Sequence, residues 1–221
     1  MIDWNRVDTV LLDMDGTLLD LRFDNYFWQE HLPARVAELR RIPLEAAKAE
    51  LFPHMRRIEG TIDWYCLDYW SRALKLNIPE LKREVCHLIG FRPQAKQFLE
   101  ALKRAGKRRV LVTNAHRGAL ALKCERTELD RHLDAVISSH DFRRPKEDPG
   151  FWDELQRVEA FDPARTALLD DSLPVLRSAR GYGLSQLLGV VRPDSSQPPR
   201  VWEEFEAVGS FEEIMPGLGW A

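Results

Sequence analysis

The sequence predicts an α/β fold: a parallel sheet flanked by helices, with an α-helical subdomain inserted after the first strand. Two observations predict it. Short apolar runs alternate with amphipathic helical patterns through the second half of the chain, which implies parallel strands with helices on both faces. One connection breaks that rhythm. Between the first apolar run and a helix beginning near Pro93 lie roughly 75 residues, too many for a βα crossover.

The first strand is expected over residues 10–13, where Val10, Leu11 and Leu12 run into Asp13. Residues 21–91 then form the inserted helical subdomain and carry many of the aromatics, among them Phe23, Tyr26, Phe27, Trp28, Trp64, Tyr65, Tyr69 and Trp70. Ile62, Tyr65, Cys66, Tyr69, Ala73 and Leu76 share one helical stripe, which predicts a helix over 61–76 burying that face, with Trp64 and Trp70 partly off it. Residues 1–20 and 92–221 make the core. Its first helix covers 93–104, with Ala95, Phe98, Leu99 and Leu102 on one face and Gly106 placed to end it. Strands follow at 110–113, 135–138, 166–169 and 186–190, separated by helices near 116–128, 148–158 and 172–180. Residues 192–199 read as a loop. A last helix is predicted from Ser210, where Glu213 completes an S-x-x-E capping box.

Composition narrows the function classes. A net charge of −3 implies no polyanion-binding surface, and the basic cluster between Lys103 and Arg109 reads as a solvated helix end, so no nucleic-acid partner is expected. Cys66, Cys86 and Cys124 form no C-x-x-C pair, which argues against zinc and against a disulfide framework and fits a reducing compartment. Neither a basic-then-apolar leader nor an apolar run of about 18 residues is legible, so a cytoplasmic protein with no membrane partner is expected. Oligomeric state is not encoded in any of these features.

The chemistry is expected where strands end, because ligands of parallel sheets bind at the carboxyl edge. Four groups fall there: Asp13 and Asp15, then Thr113-Asn114, then Lys146, then Asp170-Asp171. Together they suit phosphoryl transfer. A transferring phosphoryl group gathers negative charge on its oxygens and needs cations and hydrogen-bond donors, which Lys146, Thr113 and Asn114 can supply. Mg²⁺ prefers carboxylate and carbonyl oxygens, which Asp13, Asp171 and Asp170 can supply. Asp13 is then placed as nucleophile, forming an acyl-phosphate, and Asp15 as the acid that protonates the leaving oxygen and the base that activates water. Each piece alone has a bland reading: a turn, a helix N-cap, a strand end, a solvated lysine. Their order and strand context favour the active site. His116 is expected as an exposed loop histidine, and Arg143 and Arg144 either add charge near the phosphate or are solvated.

These residues resemble the haloacid dehalogenase superfamily along the whole chain. Asp13-Met14-Asp15-Gly16-Thr17-Leu18 looks like its first motif, Thr113-Asn114 its second, Lys146 its third and Asp170-Asp171-Ser172 its fourth. The resemblance implies a Rossmann-like core, an obligate Mg²⁺, and residues 21–91 as a cap. It also implies that Asp15 gives its backbone carbonyl to the metal and that Asp171 is the usual metal carboxylate. Two departures stand out. Pro145 precedes Lys146 where the third motif often has proline after the lysine, and Val175 stands where a later aspartate is common, a loss the Asp170-Asp171 pair is placed to compensate. Blocks such as Phe23-Asp24-Asn25-Tyr26-Phe27-Trp28 and Trp64-Tyr65-Cys66-Leu67-Asp68-Tyr69-Trp70 are further similar to bacterial purine 5′-nucleotidases acting on GMP and IMP. That implies a small phosphomonoester substrate, with Phe23, Tyr26, Trp28 or Trp64 available to stack on a base. A sugar-phosphate phosphatase and a phosphomutase use the same residues. A dehalogenase needs neither Asp15 nor a metal, and a receiver-type phospho-accepting module carries its acidic pair at the first strand rather than late.

Overall fold

Among the described residues six parallel strands form the sheet: β1 Thr9–Leu12, β2 Arg108–Thr113, β3 Ala135–Ser138, β4 Thr166–Leu169, β5 Gln186–Val190 and β6 Ala207–Val208. Their spatial order is β3-β2-β1-β4-β5-β6, so the winding direction reverses between β1 and β4, the position at which doubly wound sheets open a crevice for ligands. Register finishes the placement. Leu12 lies opposite Leu111 on one side and Leu169 on the other, so Asp13 and Asp170, each the next residue, emerge side by side at the crevice. The computed structural model describes residues 2–219.

Both sheet faces are buried, which is why its strands read as continuous apolar runs rather than alternating ones. Val10, Leu12, Leu111 and Leu169 pack on one side with α7 (Ala95–Arg104). Leu11, Val110, Val112 and Leu168 pack on the other with α9 (Gly150–Val158) and α10 (Leu173–Tyr182). The remaining core helix is α8 (Arg117–Thr127).

Between β1 and α7 the chain forms six short α-helices: α1 Arg22–Tyr26, α2 Leu32–Arg40, α3 Leu44–Ile58, α4 Ile62–Tyr65, α5 Leu67–Leu74 and α6 Ile78–Glu84, with a π turn at Phe27–His31. They build an apolar cluster of their own around Phe27, Val36, Leu51 and Trp70, joined by Ala119 and Leu122 of α8. The single stripe expected over 61–76 is not what forms. At Cys66 the backbone turns extended (φ −87°, ψ 110°) and splits the segment into α4 and α5. This break rephases the helix, so Leu67, Trp70 and Leu74 are buried in place of Tyr65, Cys66, Tyr69 and Ala73.

Two differences fall at the C-terminal end. Strand β6 was not foreseen, because two residues carry no periodic signal. The helix expected from Ser210 is a single 3₁₀ turn, Phe211–Glu213; its capping box forms, but Pro216 and Gly217 follow and prevent extension. Among the described residues no helix is long and apolar enough to cross a membrane.

Candidate active site

At the reversal of strand order three carboxylates meet. Asp13, Asp170 and Asp171 each offer an oxygen within 4.8 Å of the others. Lys146, buried in the loop after β3, donates from Nζ to Asp13 Oδ1 (2.5 Å), Asp170 Oδ2 (2.7 Å) and the Val112 carbonyl (3.0 Å). Asp170 Oδ1 accepts the Ser172 N–H, and Arg200 donates to Asp171 Oδ2. Asp13 Oδ2 is buried and has no hydrogen-bond partner among the described residues.

Gly16 makes the turn that lets this cluster form. Its φ is +86°, and an added Cβ would lie 2.7 Å from Asp171 Cγ and 2.9 Å from Pro193 Cβ. A Gly16→Ala variant is therefore expected to lose about 1–2 kcal/mol from the left-handed backbone alone. It should also push Asp171 away, with a larger loss of turnover than of thermal stability.

Thr113 ends β2 and Asn114 follows it, yet the structure gives both local tasks. Thr113 Oγ1 accepts the Ala115 N–H. Asn114 receives the Lys146 N–H on Oδ1 (2.9 Å) and donates from Nδ2 to Glu147 Oε2 (2.9 Å), so its amide staples the Lys146 loop to β2. Tyr65 reaches from α4 to Glu147 Oε1 (2.6 Å), extending the staple into the helical insertion.

The electrostatics follow from burying three acids beside one ammonium. Burial, against the pull of Lys146, raises the Asp13 carboxyl to about 7, with Asp170 and Asp15 adding to the rise. Asp170 is pushed to about 6 by burial, again opposed by Lys146, and Asp171 to about 7 by burial and by Asp13. A crowded set of hard oxygen donors, one of them orphaned, suits a divalent cation of the Mg²⁺ type.

Asp15 faces a different partner. Its Oδ1 accepts from Lys123 Nζ of α8 (2.6 Å); burial raises its pKa while Lys123 works against the shift. Lys123 also donates to Asp24 Oδ2 (2.6 Å), and Lys82 donates to Asp24 Oδ1 (2.7 Å). The sequence reading missed Lys123, Asp24 and Lys82. The signal available was a lysine on an apolar helix face: Lys123 is spaced with Ala119, Leu120 and Thr127, and Lys82 with Ile78, Leu81 and Val85.

Above the cluster opens a cavity of about 710 Å³ whose far wall comes from the insertion, including Trp28, Trp64 and Tyr65. Phe23 is buried in the helical core and Tyr26 is exposed, so of the four aromatics considered for stacking only Trp28 and Trp64 line the cavity. His116 is not an exposed loop residue. It caps α8, lines the cavity and meets His140 edge-on at 5.0 Å. Arg143 and Arg144 lie exposed outside the cavity. Although sequence spacing shows no zinc pattern, Cys66, His116 and His140 also bring ligand atoms within 4.8 Å. There Cys66 Sγ already accepts the Tyr69 N–H and His116 Nδ1 the Gly118 N–H.

The family model for haloacid dehalogenase-like hydrolases matches residues 7–183. The chain belongs to that family. This hydrolase is 41% identical over 217 residues to the GMP/IMP nucleotidase YrfG of Escherichia coli (strain K12), covering 98% of each protein. The crystal structure of an HAD phosphatase from Thermococcus onnurineus aligns with it at a TM-score of 0.79 and 20% identity, over 96% of this chain and 98% of that one. An L-2-haloacid dehalogenase from Xanthobacter autotrophicus aligns at 0.64 and 18%, over 95% and 97%. At these identities the two structures show the fold. Membership of the family, with full-length similarity to a nucleotidase, makes the hydrolase an enzyme of the phosphomonoesterase type.

Proposed function

We propose that this hydrolase is a Mg²⁺-dependent 5′-nucleotidase that releases phosphate from purine nucleoside monophosphates such as GMP and IMP, through an aspartyl-phosphate on Asp13. The observation that carries the chemistry is the unpartnered Asp13 Oδ2 within the buried carboxylate cluster, with Asp15 beside it on the same loop. Full-length similarity to a GMP/IMP nucleotidase supports the substrate class, as does a cavity walled by Trp28 and Trp64.

Asp13 is the nucleophile. Lys146 fixes Oδ1 and leaves Oδ2 with its lone pair free for phosphorus or a cation. Lys146, Thr113 and backbone N–H groups at the end of β2 offset charge on the transferring phosphoryl, and Asn114 keeps Lys146 in place. Asp15 delivers a proton to the departing 5′-oxygen and then takes one from the water that opens the acyl-phosphate. Asp13, Asp170, Asp171 and the Asp15 carbonyl would hold Mg²⁺, which supplies charge that lets an anionic nucleophile approach an anionic phosphate. In this reading residues 21–91 act as the cap that selects substrate, over a core of 1–20 and 92–221, and the enzyme works in the cytoplasm.

Steady-state phosphate release across nucleotides and sugar phosphates tests the proposal. GMP and IMP are expected to exceed sugar phosphates by at least about tenfold in kcat/KM, the scale on which a shaped pocket discriminates. Equal or better turnover of sugar phosphates removes the nucleotide assignment. Phosphate transferred within the substrate rather than released would indicate a mutase.

A further inference from the structure

Beside the carboxylate cluster runs a second buried chain of charges, Asp15–Lys123–Asp24–Lys82, of which the proposed reaction uses Asp15 alone. Its contacts are 2.6, 2.6 and 2.7 Å, and the side chains of Lys123 and Lys82 are each 2% exposed. The four residues come from different places: Asp15 from the loop after β1, Lys123 from α8 of the core, Asp24 and Lys82 from α1 and α6 of the insertion. Lys82 is itself seated over the rings of Phe23 and Phe27, 4.6 Å from each centroid.

We propose that Lys123 is a positioning residue for the Asp15 carboxyl, and that Asp24, backed by Lys82, makes this positioning depend on the helical insertion being docked. The proposal rests on the acid/base reading of Asp15. A carboxyl on a short side chain turns readily about its last torsion, and proton transfer demands that one oxygen stay within hydrogen-bond reach of the leaving group. Lys123 removes that freedom by gripping Oδ1, which leaves Oδ2 for the reaction. The lysine is fixed in turn by Asp24 on the insertion. Undocking of the insertion would leave Lys123 with Asp15 as its one remaining carboxylate and take away the second anchor that orients it. A purely structural role for the chain of charges would hold the layers together without regard to which bond is broken.

Leaving-group dependence separates the two. The 5′-alkoxide of GMP needs a proton as it departs, whereas the nitrophenolate of p-nitrophenyl phosphate leaves without one. The experiment measures the single-turnover rate of phosphoryl transfer to the Mg²⁺-loaded full chain from each substrate. Lys123→Met is expected to slow transfer from GMP by about 100-fold while changing transfer from p-nitrophenyl phosphate by less than about threefold, the difference being the acid's contribution. Asp24→Asn, which keeps the Lys123–Asp15 contact, should show the same selectivity at smaller amplitude. It also carries the test if Lys123→Met does not fold, a state circular dichroism of the purified variant reveals. Equal loss with both substrates, or no loss, overturns the proposal. Asp15→Asn serves as the reference: if it shows no leaving-group selectivity, the acid/base reading itself has failed; if it shows selectivity and the Lys123 and Asp24 variants do not, the positioning role alone has failed.

Discussion

Asp13→Asn is expected to reduce turnover by at least about 10⁴-fold, the scale of removing a nucleophile, and to leave a protein that melts higher than the wild type in metal-free buffer at pH 8. The first half follows from the proposed mechanism: an amide does not form the acyl-phosphate assigned there to Asp13. The second follows from the site's electrostatics. Asp13 sits at about 7 in the folded protein against an ordinary 3.8. A carboxyl whose folded pKa is raised binds its proton more tightly in the native state, so its ionisation destabilises the fold progressively as pH climbs from the unfolded value, and the penalty is complete above about 7. Asparagine carries no such penalty. The melting advantage of the variant should therefore shrink as pH falls towards 4. Mg²⁺ held as proposed should shrink it too, because the cation would compensate the wild-type carboxylates and would have one ligand fewer in the variant. Thermal melts at pH 8 and pH 4.5, with and without Mg²⁺, check the stability claim. Turnover by the variant within about 10²-fold of the wild type would sink the mechanism.

The parts of this site that were legible in the sequence are those fixed by strand ends. Asp13, Thr113 and Asp170 each follow an apolar run, and a parallel sheet in register leaves such residues no other place to emerge than one edge. Lys146 was legible by residue type and order rather than by position. Its dense contacts with Asp13, Asp170 and Val112 depend on Asn114 stapling the loop across 32 residues, and no local pattern encodes that. The helical insertion was legible as a length anomaly, but its internal packing was not. A stripe read over 61–76 assumes an unbroken helix, and the extended turn at Cys66 shifts every later residue to a new phase. This changes which aromatics are core: Trp70 becomes fully buried, its indole N–H donating to the Trp64 carbonyl at 3.0 Å, while Tyr65, read as part of the buried stripe, lines the cavity beside Trp64. Lys123 and Lys82 were missed because a lone lysine in a helix is usually solvated. Only the fold shows that both point inward onto one shared aspartate.

Lys146→Met should do the opposite of Asp13→Asn to stability while also abolishing activity. In the wild type the ammonium stays charged because Asp13 and Asp170 outweigh the burial that would otherwise lower its pKa. A cation with a raised folded pKa contributes its stability in full below its ordinary 10.5, hence throughout the working range. Methionine fills the space and leaves Asp13, Asp170 and Asp171 facing one another with Arg200 near the last of them. Breaking a buried pair in this way costs about 3–5 kcal/mol, and turnover is expected to fall by at least about 10³-fold with the loss of the positive charge proposed to face the phosphoryl group. The destabilisation has a pH signature. With their partner gone, Asp13 and Asp170 have even more reason to take up protons than in the wild type, where they already stand at about 7 and about 6. Acidification from pH 8 to pH 5.5 should therefore narrow the gap in melting temperature between variant and wild type, and millimolar Mg²⁺ at pH 8 should narrow it by the same electrostatic route. Activity should not return with either treatment, since neither restores an ammonium at that point. A gap unchanged by both acid and Mg²⁺ would mean that Lys146 acts through packing of its alkyl chain and not as the cation of the cluster.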